Sequence, residues 1–523
     1  MTPARRQLAL ATLSGVLYFV GFVGFDQWYL SFVCLVPLLL ALREVKSFRR
    51  AVALSWWMGF VTHLGGYFWL IHLLVTFAHL PLPLAVLGYL LLCAGQGAIL
   101  AAFGATAWLT ARRSGLPLAV VAAPVFVAVE LCFPLLFPSY LANALAWTPW
   151  LSGVADLGGV LLVSGVIALF NAGLFELVDA RLEGRRIRAA VPIAAGLLLA
   201  FDVGYSALRS GAMDERDAAA PKLKTAIIQA NVGAAAKHQK VAEGVRRFQE
   251  MTDEAMQLPG LGLVVWPESG LNKTITPQLK NLTGIVATEV KTPMIVGALR
   301  ARRDGKQRKL WNSVLALAPG GEILASYDKT MLLAFGEYVP GDSLWPGIYD
   351  LLPYTGHFER GVSTEPLPVG PWALSADVCY EDILPRFIRE LMGPIDADGT
   401  RPHAMVNVTN DSWYGPAEPP IHLALATFRS IEHRRWLVRS TATGISAFID
   451  SSGRLVQKSE FEKAQTLVAD VPMVTAGPTV YGVVGDLFAW LCLAGTALGL
   501  AWPLLRRREA SAGQPPATER RGA

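Results

Sequence analysis

The sequence is poor in charged residues. Asp, Glu, Lys and Arg make up 17% of its 523 residues, whereas soluble domains typically reach about one quarter. Hydrophobic residues supply 53%. This shortage of charge argues against an ordinary soluble protein and indicates a membrane protein. A chain of this length also predicts more than one structural unit.

The sequence also lacks the patterns that bind metals or exchange disulfides. It has five cysteines and no CxxC pair, which supports neither a zinc site nor a redox motif. His422 and His433 are eleven residues apart, not four as in a helical zinc pair. We interpret these two histidines and His403 as structural. We therefore expect no metal and no cofactor.

A basic block interleaved with aromatic residues, the mark of a nucleic-acid-binding surface, is missing too. The net charge is only +5, so nucleic acid is not an expected partner. The arginines and lysines stand instead in short clusters between long apolar runs, a pattern typical of membrane topology.

Eight apolar runs are long enough, or nearly so, to cross a hydrocarbon layer of ~30 Å. The predicted spans are Leu8–Phe25, Gln27–Leu42, Ala51–Phe77, Leu82–Leu109, Leu116–Phe137, Gly153–Val178, Ala189–Leu208 and Tyr481–Leu505.

The charges between these runs predict their orientation. Lys and Arg cluster in every second connection, whereas the connections at Asp26, 78–81 and 138–152 contain neither residue. Because positively charged loops stay in the cytoplasm, both termini are predicted to be cytoplasmic. The predicted domains are residues 1–208 with seven spans, an external domain at 209–480, a last span at 481–505 and a disordered cytoplasmic tail at 506–523.

The external segment has the texture of a layered α/β domain, with short β-rich runs between polar helical ones. Predicted strands are Lys224–Val232, Leu263–Trp266, Met294–Leu299, Ser313–Ala318, Ile323–Tyr327, Trp372–Val378, Ala404–Val408 and Ile445–Asp450. Predicted helices are His238–Gln257, Leu279–Val290, Leu384–Leu391 and His422–Val438.

Three residues of this segment, each near a predicted strand end, could together perform covalent acyl transfer. Cys379 attacks a carbonyl only as a thiolate. Glu268 could accept the thiol proton as a general base, and Lys329 could stabilise the oxyanion that forms. Taken singly, each has a structural alternative: a buried small side chain, a loop carboxylate and a solvated strand-end charge.

The segments around these residues resemble the nitrilase superfamily. With membrane spans on both sides, the chain resembles its membrane-embedded branch, the apolipoprotein N-acyltransferases. The matching segments are WPES at 266–269, WNS at 311–313, YDK at 327–329, FGEYVP at 335–340, CYE at 379–381 and NVTNDSWYG at 407–415. The resemblance implies a polytopic α-helical membrane bundle of eight spans plus an α/β nitrilase-like α-β-β-α sandwich domain.

The resemblance also implies roles for individual residues. Cys379 would be the nucleophile that becomes a thioester, Glu268 the general base and Lys329 the group that stabilises the tetrahedral intermediate. Glu337 would support Lys329 or the path of the proton.

Five further residues are expected in the site by the same resemblance. Tyr380 and Glu381 flank the nucleophile, and Asn312 occupies a slot of the motif without an assigned role. Trp413 and Tyr414 would either border a lipid entrance or serve loop packing.

The implied reaction takes an acyl chain from a phospholipid, with phosphatidylethanolamine as the expected donor. The acceptor would be the N-terminal amine of a diacylglyceryl-cysteine lipoprotein, in the bacterial inner membrane, with the catalytic domain in the periplasm and the protein a monomer. A membrane-tethered amidase acting on a small amide and an inactive lipid-binding scaffold are the alternatives.

Two features depart from the family pattern. Residues 231–238 lack the tryptophan that relatives commonly carry after the first strand, so gating of the acyl chain could differ. Glu130 lies in the fifth apolar run, where a carboxylate must face the bundle interior or water. We consider both a headgroup role and a structural role for it.

Overall fold

The chain folds into a helical part and a two-sheet domain, in a computed structural model that describes residues 2–233, 241–305, 307–345, 347–351 and 355–512. The helices before the first strand are α1 Pro3–Gly21, α2 Val36–Arg43, α3 Phe48–Gly66, α4 Leu70–Thr76, α5 Leu82–Gln96, α6 Ala98–Ser114, α7 Leu118–Cys132, α8 Ala155–Leu182 and α9 Ala190–Ala219. The later helices are α10 Val241–Ala255, α11 Ile348–Leu351, α12 Pro385–Leu391, α13 Pro419–His433, α14 Val480–Val484 and α15 Leu487–Ala512.

Several of these helices are long and apolar enough to cross a membrane. Within the described residues, four pass by length and composition: Leu82–Ser114, which joins α5 and α6, then α8, α9 and Leu487–Leu504. The pair α3 and α4, bent by 60°, would be a fifth, and the apolar helices Trp28–Arg43 and Leu118–Cys132 are shorter. The chain thus has the apolar helical part that its composition predicts.

The predicted span at Gly153–Val178 is broken near its start. Gly158 and Gly159 leave the helical conformation inside α8, and Gly159 has a φ of +71°. A Cβ on Gly159 would lie 2.6 Å from a ring carbon of Tyr481. The break frees the backbone N–H of Val160, which donates to Glu432 Oε1 at 2.9 Å. This contact joins the helical part to the two-sheet domain.

Within the described residues, the domain contains two sheets of six strands. The strands are β1 Lys222–Gln229, β2 Leu263–Ile275, β3 Met294–Asp304, β4 Gln307–Leu317, β5 Ile323–Asp328, β6 Leu367–Val369, β7 Trp372–Val378, β8 Ala404–Thr409, β9 Leu437–Thr441, β10 Ala447–Ile449, β11 Leu455–Lys458 and β12 Gln465–Pro472. One sheet has the order β12-β1-β2-β3-β4-β5 and the other β11-β10-β9-β8-β7-β6. The pairs β1–β2, β2–β3, β7–β8 and β8–β9 are parallel.

Apolar side chains hold the two sheets face to face. Ile227 and Val265 of the first sheet share a buried cluster with Val406 and Val438 of the second. On the outer face of the first sheet, α10 packs through Phe248, in a cluster that includes Trp266 of β2. Helices α12 and α13 contribute apolar side chains to the cluster of the second sheet. The α-β-β-α arrangement predicted for this part is therefore confirmed.

The predicted helix Leu279–Val290 is wrong. The segment is irregular because its polar side chains bond to a neighbouring turn: Asn281 and Thr283 both donate to the carbonyl of Gly320, at 2.6 and 2.7 Å. Such side-chain bonds compete with helix formation. Gly284, with a φ of +76°, would also interrupt a helix.

Other predicted boundaries need correction. The helix predicted over His422–Val438 begins at Pro419 and ends at His433, because Arg434 takes a left-handed conformation with a φ of +51°. Strand β9, which follows this helix, was not predicted, and neither were β6, β11 and β12. The last helix continues to Ala512, so the tail does not begin at 506 as predicted. Residues 513–523, and the segment 234–240 that includes the start of the predicted helix His238–Gln257 and most of the stretch without tryptophan, lie outside the described residues.

Candidate active site

Glu268 lies on a bulge in β2 and not beyond the end of the strand, because β2 continues to Ile275. Trp266 pairs with Val296 and Leu271 with Ala298, so residues 267–270 of β2 stand against a single residue of β3. That residue is Gly297. A Cβ there would lie 2.2 Å from the carbonyl oxygen of Pro267 and 2.7 Å from the Cα of Glu268. The absence of a side chain at this position therefore lets the bulge form.

Lys329 directly follows β5 and is 1% exposed. Its Nζ lies 2.9 and 2.8 Å from the two carboxylate oxygens of Glu337. The backbone N–H of Lys329 donates to the backbone carbonyl of Asn312 at 2.8 Å. Its side-chain amide donates to Glu268 at 2.6 Å and to Glu337 at 3.1 Å. Asn312, to which the sequence assigned no role, thus bridges two carboxylates of the site.

Cys379 directly follows β7 and has a φ of +52°, a strained value for a residue with a side chain. Glu381 holds this turn in place. It accepts the backbone N–H of Val378 at 2.7 Å, those of residues 330–331 at 2.7 and 2.8 Å, and the hydroxyl of Tyr327 at 2.8 Å. The loop that carries the thiol is thereby fastened to the loop that carries Lys329.

The charged groups around the Cys379 thiol shift its pKa in opposite directions. Burial raises the pKa of Cys379 well above its usual value, and Glu268 raises it further, whereas Lys329 and the hydroxyl of Thr409 lower it. Burial alone would lower the pKa of Lys329, but Glu337, Cys379 and Glu268 together raise it. Lys329 therefore stays an ammonium, and the thiol stays protonated until a base accepts its proton. The carboxylate of Glu268 lies within electrostatic reach of the thiol.

Cys379 opens onto an apolar cavity that extends among the helices. Tyr380 and Tyr414 line it from the domain. The helical part contributes mainly aromatic and aliphatic side chains, among them Tyr18, Phe19, Phe22, Leu100, Phe103, Phe126 and Phe137. A space of this kind can accommodate a hydrocarbon chain beside the thiol and keep water away from it.

Each of the two parts of the chain matches a family of known proteins. Residues 14–173 match the family model of the apolipoprotein N-acyltransferase N-terminal domain, and residues 224–481 match that of the carbon-nitrogen hydrolases. The chain is 30% identical to an apolipoprotein N-acyltransferase of Geobacter metallireducens over 516 residues, covering 96% of each chain. It is 31% identical to one of Azotobacter vinelandii, covering 98% of this chain and 97% of the relative. The chain belongs to the apolipoprotein N-acyltransferase family.

Among solved structures, this family member is similar to Nit3 of Saccharomyces cerevisiae, described as a member of branch 10 of the nitrilase superfamily. The two share 16% identity, and the match covers 48% of this chain and 90% of Nit3 with a TM-score of 0.36.

The two aromatic residues of the loop after β8 have different surroundings. Tyr414 is buried, lines the cavity and packs edge-on against Trp69, with ring centroids 5.5 Å apart. Trp413 packs against Phe77 of the helical part at 4.6 Å and is not among the residues that line the cavity. Tyr414 therefore lines the cavity and Trp413 packs against the helical part, while a lipid entrance at this loop stays a prediction.

Tyr380 and Glu130 both line the cavity and hydrogen-bond to backbone groups of the helical part. The Tyr380 hydroxyl donates to the carbonyl of Leu136 at 3.0 Å, which links the residue after Cys379 to the helical part. Glu130 lines the same cavity, and its Oε1 accepts the backbone N–H of Leu141 at 2.8 Å. This contact caps the short 3-10 helix Leu141–Leu145 and favours the structural alternative for Glu130.

A second polar cluster lies beside the cavity and was missed by the sequence analysis. His422 bonds to Asp411 through Nδ1 and to Asp382 through Nε2, both at 3.0 Å, and Arg439 contacts both aspartates. Burial and Arg439 lower the pKa of His422, but the two aspartates outweigh them and raise it to about 10. His422 is therefore an imidazolium that donates from both nitrogens.

Glu418 belongs to this cluster as well. Possible ligand atoms of Asp411, Glu418 and His422 lie within 4.8 Å of one another, the kind of grouping that holds a metal ion. A doubly protonated imidazole has no lone pair to offer a metal, so these contacts are hydrogen bonds and ion pairs. The sequence spacing of these residues does not predict a cluster, because only the fold brings them together.

Proposed function

We propose that this enzyme is the acyltransferase that N-acylates lipoproteins, with Cys379 as the carrier of the acyl group. The observation that carries the proposal is the position of Cys379. Its thiol has the carboxylate of Glu268 and the ammonium of Lys329 within electrostatic reach and faces an apolar cavity among the helices. A hydrolase of small soluble amides has no need for such a cavity. Membership of the family over nearly the whole chain supports the same conclusion.

In the first half-reaction, Glu268 accepts the thiol proton and the Cys379 sulfur attacks the ester carbonyl of a phospholipid acyl chain. The ammonium of Lys329 stabilises the oxyanion of the tetrahedral intermediate. The carbon–oxygen bond to the glycerol then breaks, and the departing oxygen takes the proton from Glu268. The products are a thioester on Cys379 and a lysophospholipid.

In the second half-reaction, the N-terminal amine of a diacylglyceryl-cysteine lipoprotein attacks the thioester carbonyl. The amine loses a proton to Glu268, the carbon–sulfur bond breaks, and the Cys379 thiolate recovers that proton. The apolar cavity excludes water and so protects the thioester from hydrolysis between the two steps. Glu337, Asn312 and Glu381 hold the reacting groups in position.

The proposed arrangement in the membrane follows the charges of the sequence. Eight spans would place both termini in the cytoplasm and residues 209–480 in the periplasm, at the inner membrane, with the protein acting as a monomer. Both substrates are anchored in lipid, so a site beside the helices can receive each by diffusion within the bilayer. Phosphatidylethanolamine is the proposed donor.

Intact-protein mass spectrometry tests the proposal directly. The purified enzyme, incubated with phosphatidylethanolamine alone, should gain the mass of one fatty acyl group, and neutral hydroxylamine should remove it. Cys379→Ala should gain nothing. Cys132→Ala, which removes an exposed cysteine elsewhere, should behave as the wild type does.

The opposite result is equally informative. A folded enzyme that gains no acyl mass from phospholipid, yet hydrolyses a small amide through Cys379, would overturn the proposal in favour of the amidase. Full lipoprotein acylation by Cys379→Ala would overturn the assignment of the nucleophile.

A further inference from the structure

Two carboxyl groups in the wall of the cavity, those of Glu130 and Glu418, each have an oxygen without a hydrogen-bond partner among the described residues. Glu418 is 8% exposed and lines the same cavity as Cys379. Among the described residues, its Oε2 finds no donor. Glu418 stands at the N-cap of α13, and its side chain makes no capping hydrogen bond to the first turn. The Oε2 atom therefore makes no hydrogen bond that stabilises the fold.

The surrounding charges leave Glu418 without a cation of its own. The nearest cationic atom is Nδ1 of His422, at 3.8 Å, and that nitrogen already donates to Asp411 at 3.0 Å. The guanidinium of Arg439 contacts Asp382 and Asp411. The cluster therefore contains two cations, His422 and Arg439, and three carboxyl groups, those of Asp382, Asp411 and Glu418. A buried carboxylate is costly unless it is paired, so the cavity wall favours a ligand that brings a positive charge.

We propose that Glu418 binds a primary ammonium group that enters the cavity next to Cys379. This inference rests on the proposed function, which supplies two such groups: the headgroup of phosphatidylethanolamine and the N-terminal amine of the lipoprotein. Either would form a charge-assisted hydrogen bond with the carboxylate. A divalent metal fits less well, because Asp411 and His422 already satisfy one another.

The direction of the pKa shift of Glu418 is compatible with an ammonium group as its partner. Burial raises the pKa of its carboxyl above the usual range, and Asp411 adds to that effect, while His422 and Arg439 oppose it. Its affinity for a proton thus moves toward that of an α-amino group, whose pKa is about 7.7–8.0. If the bound group is the acceptor amine, Glu418 can take its proton and leave the neutral nitrogen that attack on a thioester requires.

The variant Glu418→Gln tests this inference, since it keeps the shape of the side chain and removes its charge. Three rates separate the sources of the ammonium: acylation of Cys379 by phosphatidylethanolamine, its acylation by phosphatidylglycerol with the same acyl chains, and transfer from the preformed thioester to a diacylglyceryl-cysteine peptide. Loss of a hydrogen bond to a charged group should raise KM for the ammonium-bearing substrate about tenfold or more, with a smaller effect on kcat. Glu254→Gln, an exposed change on α10, is the matched control.

Slowing confined to phosphatidylethanolamine assigns Glu418 to the donor headgroup, and slowing confined to transfer assigns it to the acceptor amine. Either outcome supports the inference, as does slowing in both with acylation by phosphatidylglycerol unchanged. Slowed acylation by phosphatidylglycerol, or no change in any rate, overturns it while the proposed function stands. A wild-type enzyme that accepts no acyl group from any phospholipid overturns the proposed function and this inference together.

Discussion

The thiol of Cys379 shows how single charges determine reactivity in this site. Burial raises its pKa most, Glu268 raises it next, and Lys329 lowers it. Raising the pKa of a thiol reduces the thiolate fraction at a given pH, and lowering it has the reverse effect. The two neighbours therefore act on the thiol in opposite directions, and this opposition is measurable.

We expect substitutions of these neighbours to move the alkylation of Cys379 in opposite directions on the pH scale. Lys329→Met removes the charge that lowers the thiol pKa, so the rate profile with iodoacetamide should move to higher pH. Glu268→Gln removes a charge that raises the pKa, so the profile should move to lower pH. Mass spectrometry of the modified protein gives both rates, with the exposed Cys132 as internal control. Shifts in the same direction would contradict this electrostatic account.

At the scale of residues, the sequence predicts those members of the site that stand in recognisable segments. Glu268 lies on a bulge within a strand, and Lys329 and Cys379 directly follow strands. The structure brings Asn312, Glu337 and Glu381 into hydrogen-bonded contact around them. Their catalytic roles stay predictions. Glu418 could not be predicted, because an acidic residue before two prolines is equally typical of an ordinary helix start. Only the fold shows that its carboxyl group faces the cavity.

At the scale of elements, Gly297 of β3 leaves room for the bulge of β2 that carries Glu268. We expect Gly297→Ala to displace Glu268, because the added methyl group would collide with the backbone of Pro267 and Glu268. A displacement of about 1 Å can reduce a reaction rate on the order of a hundredfold. The rate of acyl-enzyme formation measures the effect.

Gly211→Ala in α9 is the control for this substitution, since the space around Gly211 is open. It should acylate normally. Normal acylation by Gly297→Ala as well would mean that the bulge does not depend on the glycine.

The elements that the sequence predicts well are those with a strong local pattern. The buried strand Trp372–Val378 has the predicted bounds, and the helix predicted over Leu384–Leu391 runs from Pro385 to Leu391. The short strands β6 and β11 lack such a pattern. The segment 279–290 has helical composition, but side-chain bonds to a distant turn prevent the helix, and those bonds depend on tertiary structure.

For the whole molecule, the orientation in the membrane is a prediction that labelling can test. Thr364→Cys lies on the exposed surface of the domain, and Ile187→Cys is exposed between α8 and α9. In a variant whose native cysteines are replaced by alanine, a membrane-impermeant maleimide should label Thr364→Cys in intact spheroplasts. It should label Ile187→Cys only after lysis. The reverse pattern would contradict the proposed orientation.

The cavity is a property of the whole molecule and lies beyond what the sequence could predict. Its walls come from helices near the start of the chain and from loops several hundred residues later, including Phe22, Phe126 and Tyr414. No local pattern records that these residues meet. Composition and charge predict the two parts of the chain, whereas the space between them depends on how the parts pack.

Helix α9 runs without interruption for 30 residues, a length of about 45 Å, from the apolar part into the domain. Near its middle, Tyr205 and Arg209 bond to Asp156 at 2.8 and 2.9 Å, and Arg434 of the domain reaches the same carboxylate. A continuous helix transmits rotation as well as distance: one inserted residue would turn everything beyond it by about 100° and advance it by about 1.5 Å. The rotation of this helix therefore determines which face of the two-sheet domain turns toward the helical part. An insertion or deletion within the helix would change that orientation, whereas a flexible loop would absorb it.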